Sequence, residues 1–592
     1  MNADSQKRSA EFLKIAGQYK LGALVTESIH PVTANLSEVA RQDTSAGLKL
    51  LFDVDDDVIR KFREFVGTGR AVEIAGVILD AVEKGGRIFF TGCGATGRLS
   101  ILLDSVWRDF WQRQGKPDLE NRTFSVMSGG DFALIKSVEG FEDFAAFGKK
   151  QVNDLGVSGR DIVFAITEGG ETSFVIGTAW AGVEAGAKVY FVYNNPDELL
   201  CEHVERSREV IEDPCVEKIN LTTGPMAIAG STRMQATSIQ LCVMLTILEM
   251  VVWKLMRRAG DTVPQEFLQM LAAAHAGLKS PETLAQLAKI VELEESVYRR
   301  RGRNNYFAGQ FGIDVLTDTT ERSPTFCTPP FRKFDDAAAA ESWAFLFLPE
   351  EKTLDAWQHI LKRSPRCLEW GGDEISHLVP KENLPRTVET LQKISREELM
   401  RFRIGLDGLP GRSLKESDCA VAVLSDMDKP LLSKNGAFEI QLQKAREGGA
   451  KTVTIYFCHH SRQSQTAGDI ISINISVPPT DFLLDGVARV MVKLVMNAIS
   501  TCTMVRLGRV MGNMMVYVVP SNLKLIDRAT RYIGRLTGLP YERANELLFE
   551  VIEYVEPRMK ADRAYPPVVG MAVIRARENC SNEAAETFLQ SR

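Results

Sequence analysis

The chain has 592 residues, more than one hydrophobic core usually organises, so two large domains with helical additions are expected. Apolar residues make up 45% and charged residues 25%, the balance of an ordinary globular protein. The net charge of −6 argues against a basic nucleic-acid-binding surface.

The start, "MNADSQKRSAEFLKIAGQ", has no uninterrupted apolar run and is read as lacking a secretory signal. Up to about Gly85 the pattern is helical, as in "SAEFLKIAGQYKLGAL" and "VEIAGVILDAVEKGG". The rhythm then changes. "RIFFTG", "TFSVMSGG", "DIVFAIT" and "KVYFVYN" are short, β-branched or aromatic runs separated by helical patterns. This βαβ alternation predicts a doubly wound α/β domain with a parallel sheet covered on both faces. "IQLCVMLTILEMVVWKLM" (239–256) is interrupted by Gln240, Glu249 and Lys254, so a buried helix is expected there rather than a membrane span.

The pattern recurs at "NNYFAG", "CAVAVLSD" and "KTVTIYF". "EAGAKVYFVYN" from Glu184 matches "EGGAKTVTIYF" from Glu447, and each half has a long apolar helix, the second being "GVARVMVKLVMNAISTCTMVRLG". We read two copies of one α/β unit, divided near Arg257 to Phe267. The tail from about Asn513 is helical, with a break at "AYPPVVG". Ten cysteines without a C-x-x-C pair predict reduced thiols and a cytoplasmic setting. Cys458-His459-His460 follows a strand pattern and has no second ligand cluster, so no metal site is expected.

Four loops bear chemistry. The first, Gly92-Cys93-Gly94-Ala95-Thr96-Gly97, is a G-x-G-x-x-G between a strand and a helix, a natural anion site. A dinucleotide site also wants an acid about 20 positions on, at the end of the second strand. Here that strand ends much further along, near Asp131, so an NAD enzyme is the weakest reading and no cofactor is expected. Thr96 adds a hydroxyl for a phosphate oxygen. The second loop, "TEGGETS" (167–173), ends the third strand, and Glu168 and Glu171 are unexpected there because carboxylates repel phosphate but accept sugar hydroxyls. In the third, "SGGDFALIKSVEGFED", Glu139 and Glu142 lie at i, i+3; each is a candidate ligand or base, or a solvated charge. In the fourth, Gly230-Ser231-Thr232 precedes the apolar helix, and Arg233 is placed to pair with an anion.

Together, "TESIHPVTANL", "GCGATGRLSIL", "SGGDFALIKSVEGFED", "TEGGETSFVIG", "GPMAIAGSTRMQATS" and "RLGRVMGNMMVYVVPSNLKLIDRA" resemble, in order, the sugar isomerase (SIS) family that joins N-acetylmuramic acid 6-phosphate etherase and glucokinase regulatory protein. The resemblance implies two flavodoxin-like SIS domains: an N-terminal helical segment (1–60), a ligand-binding first domain (61–260), a degenerate copy (261–512) and a C-terminal helical lid (513–592). The second copy, "AGQFGIDV", keeps Gly309 and Gly312 but lacks the loop hydroxyl. By resemblance, Gly94 to Gly97 with Thr96, and Thr167, Gly169, Gly170 and Thr172, hold phosphate. Glu142 is a catalytic or sugar-contacting carboxylate, and Glu139, Ser231, Thr232, Arg233, Asn522 and Lys524 complete the site, the last two from the lid.

The departures from the etherase pattern also bear on function. Val106 stands where the etherases carry a second acid, Gly169 where they carry serine, Glu171 where they carry arginine, Met226 where they carry glutamate, and Gln235 where lysine is usual. The leading expectation is therefore a sugar-phosphate-binding protein with a regulatory output. Its partners would be a sugar or sugar phosphate and a sugar kinase, with no membrane or nucleic acid. The chain would be a monomer (a pseudo-dimer of its two domains) or a homodimer. The rival is a cofactor-free phosphosugar lyase or isomerase with Glu142 as base and Glu171 or Glu168 as the second acid–base group.

Overall fold

The short apolar runs become the strands of two sheets. The structure is a computed structural model that describes residues 3–16, 21–138, 140–459, 465–467, 470–520, 523–560 and 565–590. In the first sheet β1 (Ile88–Gly92), β2 (Thr123–Met127), β3 (Ile162–Ile166), β4 (Lys188–Tyr193) and β5 (Val216–Asn220) are parallel, in the order β2-β1-β3-β4-β5. In the second, β6 (Asn304–Ala308), β7 (Ala344–Phe347), β8 (Cys419–Ser425), β9 (Lys451–Cys458) and β11 (Ile470–Ser476) repeat that order as β7-β6-β8-β9-β11, and β10 (Gln465–Ala467) adds an antiparallel edge. The reading of two copies of one doubly wound α/β unit stands. Every residue of β1, β3, β6 and β8 is buried, as expected for strands covered by helices on both faces.

The two long apolar helices, Gln235–Leu255 and Gly486–Arg506, pack against each other. Nine-tenths of the most apolar stretch of each is buried inside the molecule, so their apolar length is that of core helices. Ion pairs also tie the two halves together. Arg98, fully buried, pairs with Glu321 at 2.5 Å, and Asp104 of the first domain accepts from Arg108 (2.8 Å) and from Arg363 of the second (3.2 Å). Burial would raise the Asp104 carboxyl, but these arginines with Arg366 hold it at about 2.

The N-terminal helices divide between the halves. Asp56–Gly67 and Arg70–Glu83 cover the helix Gln235–Leu255, while Leu36–Gln42 and Thr44–Val54 cover Gly486–Arg506 of the other half. Helix Ala3–Ile15 packs on the C-terminal helix Tyr541–Lys560, where Arg8 pairs with Glu556 at 2.8 Å. Helix Leu523–Thr537 is anchored by Glu27, which accepts from Arg528 (2.5 Å) and Arg531 (3.0 Å). Burial opposes ionisation of Glu27, but the two arginines overcome it and keep its carboxyl at about 2. The amino end of this helix is thereby held over the carboxyl edge of the first sheet.

Candidate functional site

A cavity of about 540 Å3 lies at the carboxyl ends of β1 and β3, roofed by helix Leu523–Thr537. This is where ligands sit in open parallel sheets. The turn after β1 contributes Cys93, Gly94 and Ala95 at the start of helix Gly94–Arg113. Gly94 has φ +56°, and a side chain there would meet nothing within 4 Å, so the turn's backbone faces open space. Thr96 does not face the cavity. It is fully buried, and its hydroxyl accepts from the Cys93 amide (3.1 Å) and donates to the Cys93 carbonyl (2.9 Å). The expected phosphate hydroxyl is instead a helix cap. Gly97 is also turned away, and is needed because a Cβ would run into Met127 of β2.

The second loop splits in the same way. Thr167 is buried, and its hydroxyl accepts from the Gly170 amide at 3.3 Å, which braces the turn; Gly170, at φ +79°, packs against Leu200. Gly169, Thr172 and both glutamates line the cavity. The two carboxylates differ. Glu171 is paired with Lys524 and, at 2.7 Å, with Arg206. Burial would raise it, but the two cations hold it at about 2. Glu168 has a hydroxyl partner, Thr237 at 3.3 Å, and burial pushes its carboxyl up to about 7. Of the two glutamates expected to serve as the second acid–base group, Glu171 is held ionised by its cations, while burial brings the Glu168 carboxyl towards neutral pH.

Glu142 lines the same cavity and accepts a weak hydrogen bond from the Cys93 thiol at 3.4 Å. Burial raises its carboxyl. Glu139 and Asn522 lie outside the described residues. Val106, at the position of the second etherase acid, is buried in the core of helix Gly94–Arg113 and does not reach the cavity.

Ser231, Thr232 and Arg233 form the wall nearest the second domain. Arg233 is 4% exposed and donates through Nη2 to Ser500 (2.8 Å) and Thr501 (3.2 Å). Its Nε and Nη1 are buried without a hydrogen-bond partner among the described residues, and Nη1 lies 3.8 Å from Asp318. Burial lowers its pKa, which measures how poorly this cation is solvated. Lys524 and Arg528 add two further cations from the roof.

The sequence reading did not single out Glu27, Glu321, Arg206 or Arg528. Arg528 had a signal, because it follows Lys524 at i+4 on one helix. Glu321 comes from the second domain, and no local pattern could place it there. The acid beyond the second strand, Asp131, is bound by Arg363 at 2.6 and 2.9 Å, so it is already engaged where a dinucleotide ribose would need it. Cys458 is buried at the end of β9 and His459 sits beside the Val477 carbonyl, while His460 lies outside the described residues. Among the described residues no cluster of three metal-ligating side chains is present.

The family model of the glucokinase regulatory protein N-terminal SIS domain matches residues 71–181. N-acetylmuramic acid 6-phosphate etherase from Yersinia pestis (strain Pestoides F) is 31% identical over 221 residues, which are 37% of this chain and 68% of the etherase. The enzyme of Yersinia pseudotuberculosis (strain YPIII) gives the same values. Among solved structures, tagatose-6-phosphate ketose/aldose isomerase from Escherichia coli aligns with a TM-score of 0.42 at 10% identity, over 82% of this chain and 98% of its own. The C-terminal domain of glucosamine-fructose-6-phosphate aminotransferase from Francisella tularensis gives 0.41 at 12% identity, over 77% and 94%. With β1–β5 and their glycine-rich turns in place, and with this identity over two thirds of the etherase, the chain belongs to the SIS-domain family of N-acetylmuramic acid 6-phosphate etherase and glucokinase regulatory protein.

Proposed function

We propose that the first cavity binds a sugar phosphate, a hexose or amino-sugar 6-phosphate, and that the protein works as a binding regulator of carbohydrate metabolism. The observation that carries this reading is Arg233: a cation almost wholly buried in the cavity wall, whose Nε and Nη1 have no hydrogen-bond partner among the described residues although Nη1 lies 3.8 Å from Asp318. Unpaired buried donors are costly, and an anionic ligand would satisfy them. The phosphate would lie between Arg233 and the Gly94–Ala95 turn, with Lys524 moving onto it from Glu171, while Glu142 and Glu168 accept sugar hydroxyls. The family supports a phosphosugar as the ligand class. A regulator's output needs a protein partner, and a sugar kinase is the one that the resemblance to glucokinase regulatory protein implies. None of the ten cysteines forms a disulfide among the described residues, which suits a reducing cytoplasm.

Calorimetry with glucose 6-phosphate and glucosamine 6-phosphate on wild type and Lys524→Ala tests this. We expect binding that the substitution weakens; equal affinity in both would contradict the assignment.

One observation favours an enzymatic second reading. Glu142 and Glu168 share the cavity, and burial raises both carboxyls, that of Glu168 to about 7, where it can exchange a proton near neutrality. A cofactor-free lyase or isomerase would use them as base and acid. Turnover of a phosphosugar panel, lost in Glu142→Gln and Glu168→Gln, would support it; binding without turnover supports the regulatory role.

A further inference from the structure

The second sheet has a cavity of its own. Its volume is about 670 Å3, and it lies at the carboxyl ends of β6, β8 and β9, the place that the first cavity occupies on the first sheet. Nothing in the family reading of the first cavity requires this one to bind anything.

Its anion position is already filled by the chain itself. Asp428 Oδ1 accepts from the Gln310 amide at 3.0 Å, in the turn after β6. Its Oδ2 accepts from the Ser425 amide (2.8 Å) and hydroxyl (2.9 Å), at the end of β8. A Cβ on Gly309 would collide with the Asp428 carboxylate, so the glycine is what admits it. A phosphate arriving here would find its donors taken and a like charge in place.

The other charges on the wall are largely paired among themselves. Asp109 pairs with Lys362 (2.9 Å) and Arg113 (3.1 Å), His359 with Glu350 (2.6 Å), and Asp426 with Lys429 (2.8 Å). What faces the space is a mixture suited to an uncharged polar molecule. Phe311, Phe457 and Phe482 give apolar ring surface, while Asp426, held by Lys429, and Asp485, which accepts from the Gln310 side-chain amide at 2.5 Å, give acceptors with lone pairs to spare. Arg489 also lines the cavity; it is 5% exposed and pairs through Nη1 with Asp314, which leaves its buried Nε without a hydrogen-bond partner among the described residues.

We propose that this cavity is a second ligand site that takes an uncharged sugar, with Asp428 standing where the first site holds phosphate. Acidic and amide side chains receive the hydroxyls, Arg489 donates to one of them, and the rings cover the carbon skeleton. The chain would then carry one site for a phosphorylated sugar and one for an unphosphorylated sugar on two copies of the same fold.

Saturation-transfer NMR and calorimetry on the full chain test it, with glucose and N-acetylglucosamine as neutral probes and glucose 6-phosphate as the charged one. We expect wild type to bind a neutral sugar, Lys524→Ala to bind it equally, and Ala488→Phe, which places a ring in the cavity, to bind it about tenfold or more weakly. Thermal unfolding checks the fold of Ala488→Phe; Met427→Trp, at a position 67% exposed on the rim, replaces it if that variant does not fold. No neutral sugar bound by wild type overturns the proposal, as does neutral-sugar binding lost in Lys524→Ala but kept in both blocking variants. Asp428→Ser in the Lys524→Ala background should gain a rise in melting temperature with inorganic phosphate. A folded variant without that gain contradicts the role given to Asp428. If that variant does not fold, the stoichiometry of glucose 6-phosphate on wild type decides: two equivalents per chain overturn the proposal.

Discussion

The two strand-end cavities share strand order, crossover pattern and a glycine-bearing turn, yet their anion positions differ. In the first, the space beyond Gly94 is open and Arg233 Nε and Nη1 have no hydrogen-bond partner among the described residues. In the second, the corresponding space holds Asp428, bound to two amides and a hydroxyl. The fold supplies a strand-end turn in both copies; on the reading proposed here, a few side chains decide whether it accepts an anion or carries one.

The sharpest way to break this contrast is at Arg233. Replacing it with methionine removes the buried cation and its hydrogen bonds to Ser500 and Thr501, while Asp318 keeps Arg322 at 2.8 Å. Phosphosugar binding should be abolished, and stability should change by no more than about 1–3 kcal/mol, measured by denaturant unfolding. Retained affinity would mean that the anion lies elsewhere.

A pH experiment sharpens the contrast next. Burial lifts the Glu168 carboxyl from 4.5 to about 7. Between those values the native state holds a proton that the unfolded state has released, so its contribution to stability falls as pH rises through the window and levels off above it. Glu168→Gln should therefore raise stability at pH 8 by on the order of 3 kcal/mol and change it little at pH 4. Phosphosugar affinity in wild type should decline over the same window, as the charged form repels phosphate. Equal stabilisation at both pH values would contradict the assignment.

Lys524→Ala comes third. Losing one charge-assisted contact of about 1.5–3 kcal/mol should weaken phosphosugar binding by roughly ten- to 150-fold in calorimetry and leave the second cavity's ligand unaffected. The smallest effect belongs to Thr96→Val. Its hydroxyl caps the helix, so we expect a loss of about 1 kcal/mol in unfolding and unchanged ligand affinity. A large loss of affinity with full stability would restore the phosphate role that the sequence suggested.

The fold was legible wherever strands were continuous apolar runs. β1 to β4, β6, β8 and β9 stand at the segments singled out from the sequence. Three of the parallel strands were not singled out. β5, "VEKIN", is a half-exposed edge whose polar residues mask it. β7, "AFLF", is four residues long, and β11, "IISINIS", lacks the preceding helix pattern that marked the others.

The site was legible as a set of loops, but not as orientations. Thr96 and Thr167 lie in the right turns with their hydroxyls turned to the backbone, and Glu171 lies in the right loop but is neutralised by Lys524 and Arg206. Spacing along the chain tells which turn a residue belongs to. It does not tell which way the hydroxyl points, or which cation arrives from residues more than 300 positions away. Asp428 escaped notice for the same reason, because its partners are backbone amides of two different turns.

The central claim is that one cradle is open to phosphate and the other is closed. Titration calorimetry of glucosamine 6-phosphate and glucose 6-phosphate into the full chain measures it directly. The account predicts one phosphosugar equivalent per chain, with affinity that falls when Lys524 is replaced; two equivalents per chain, or none, would contradict it.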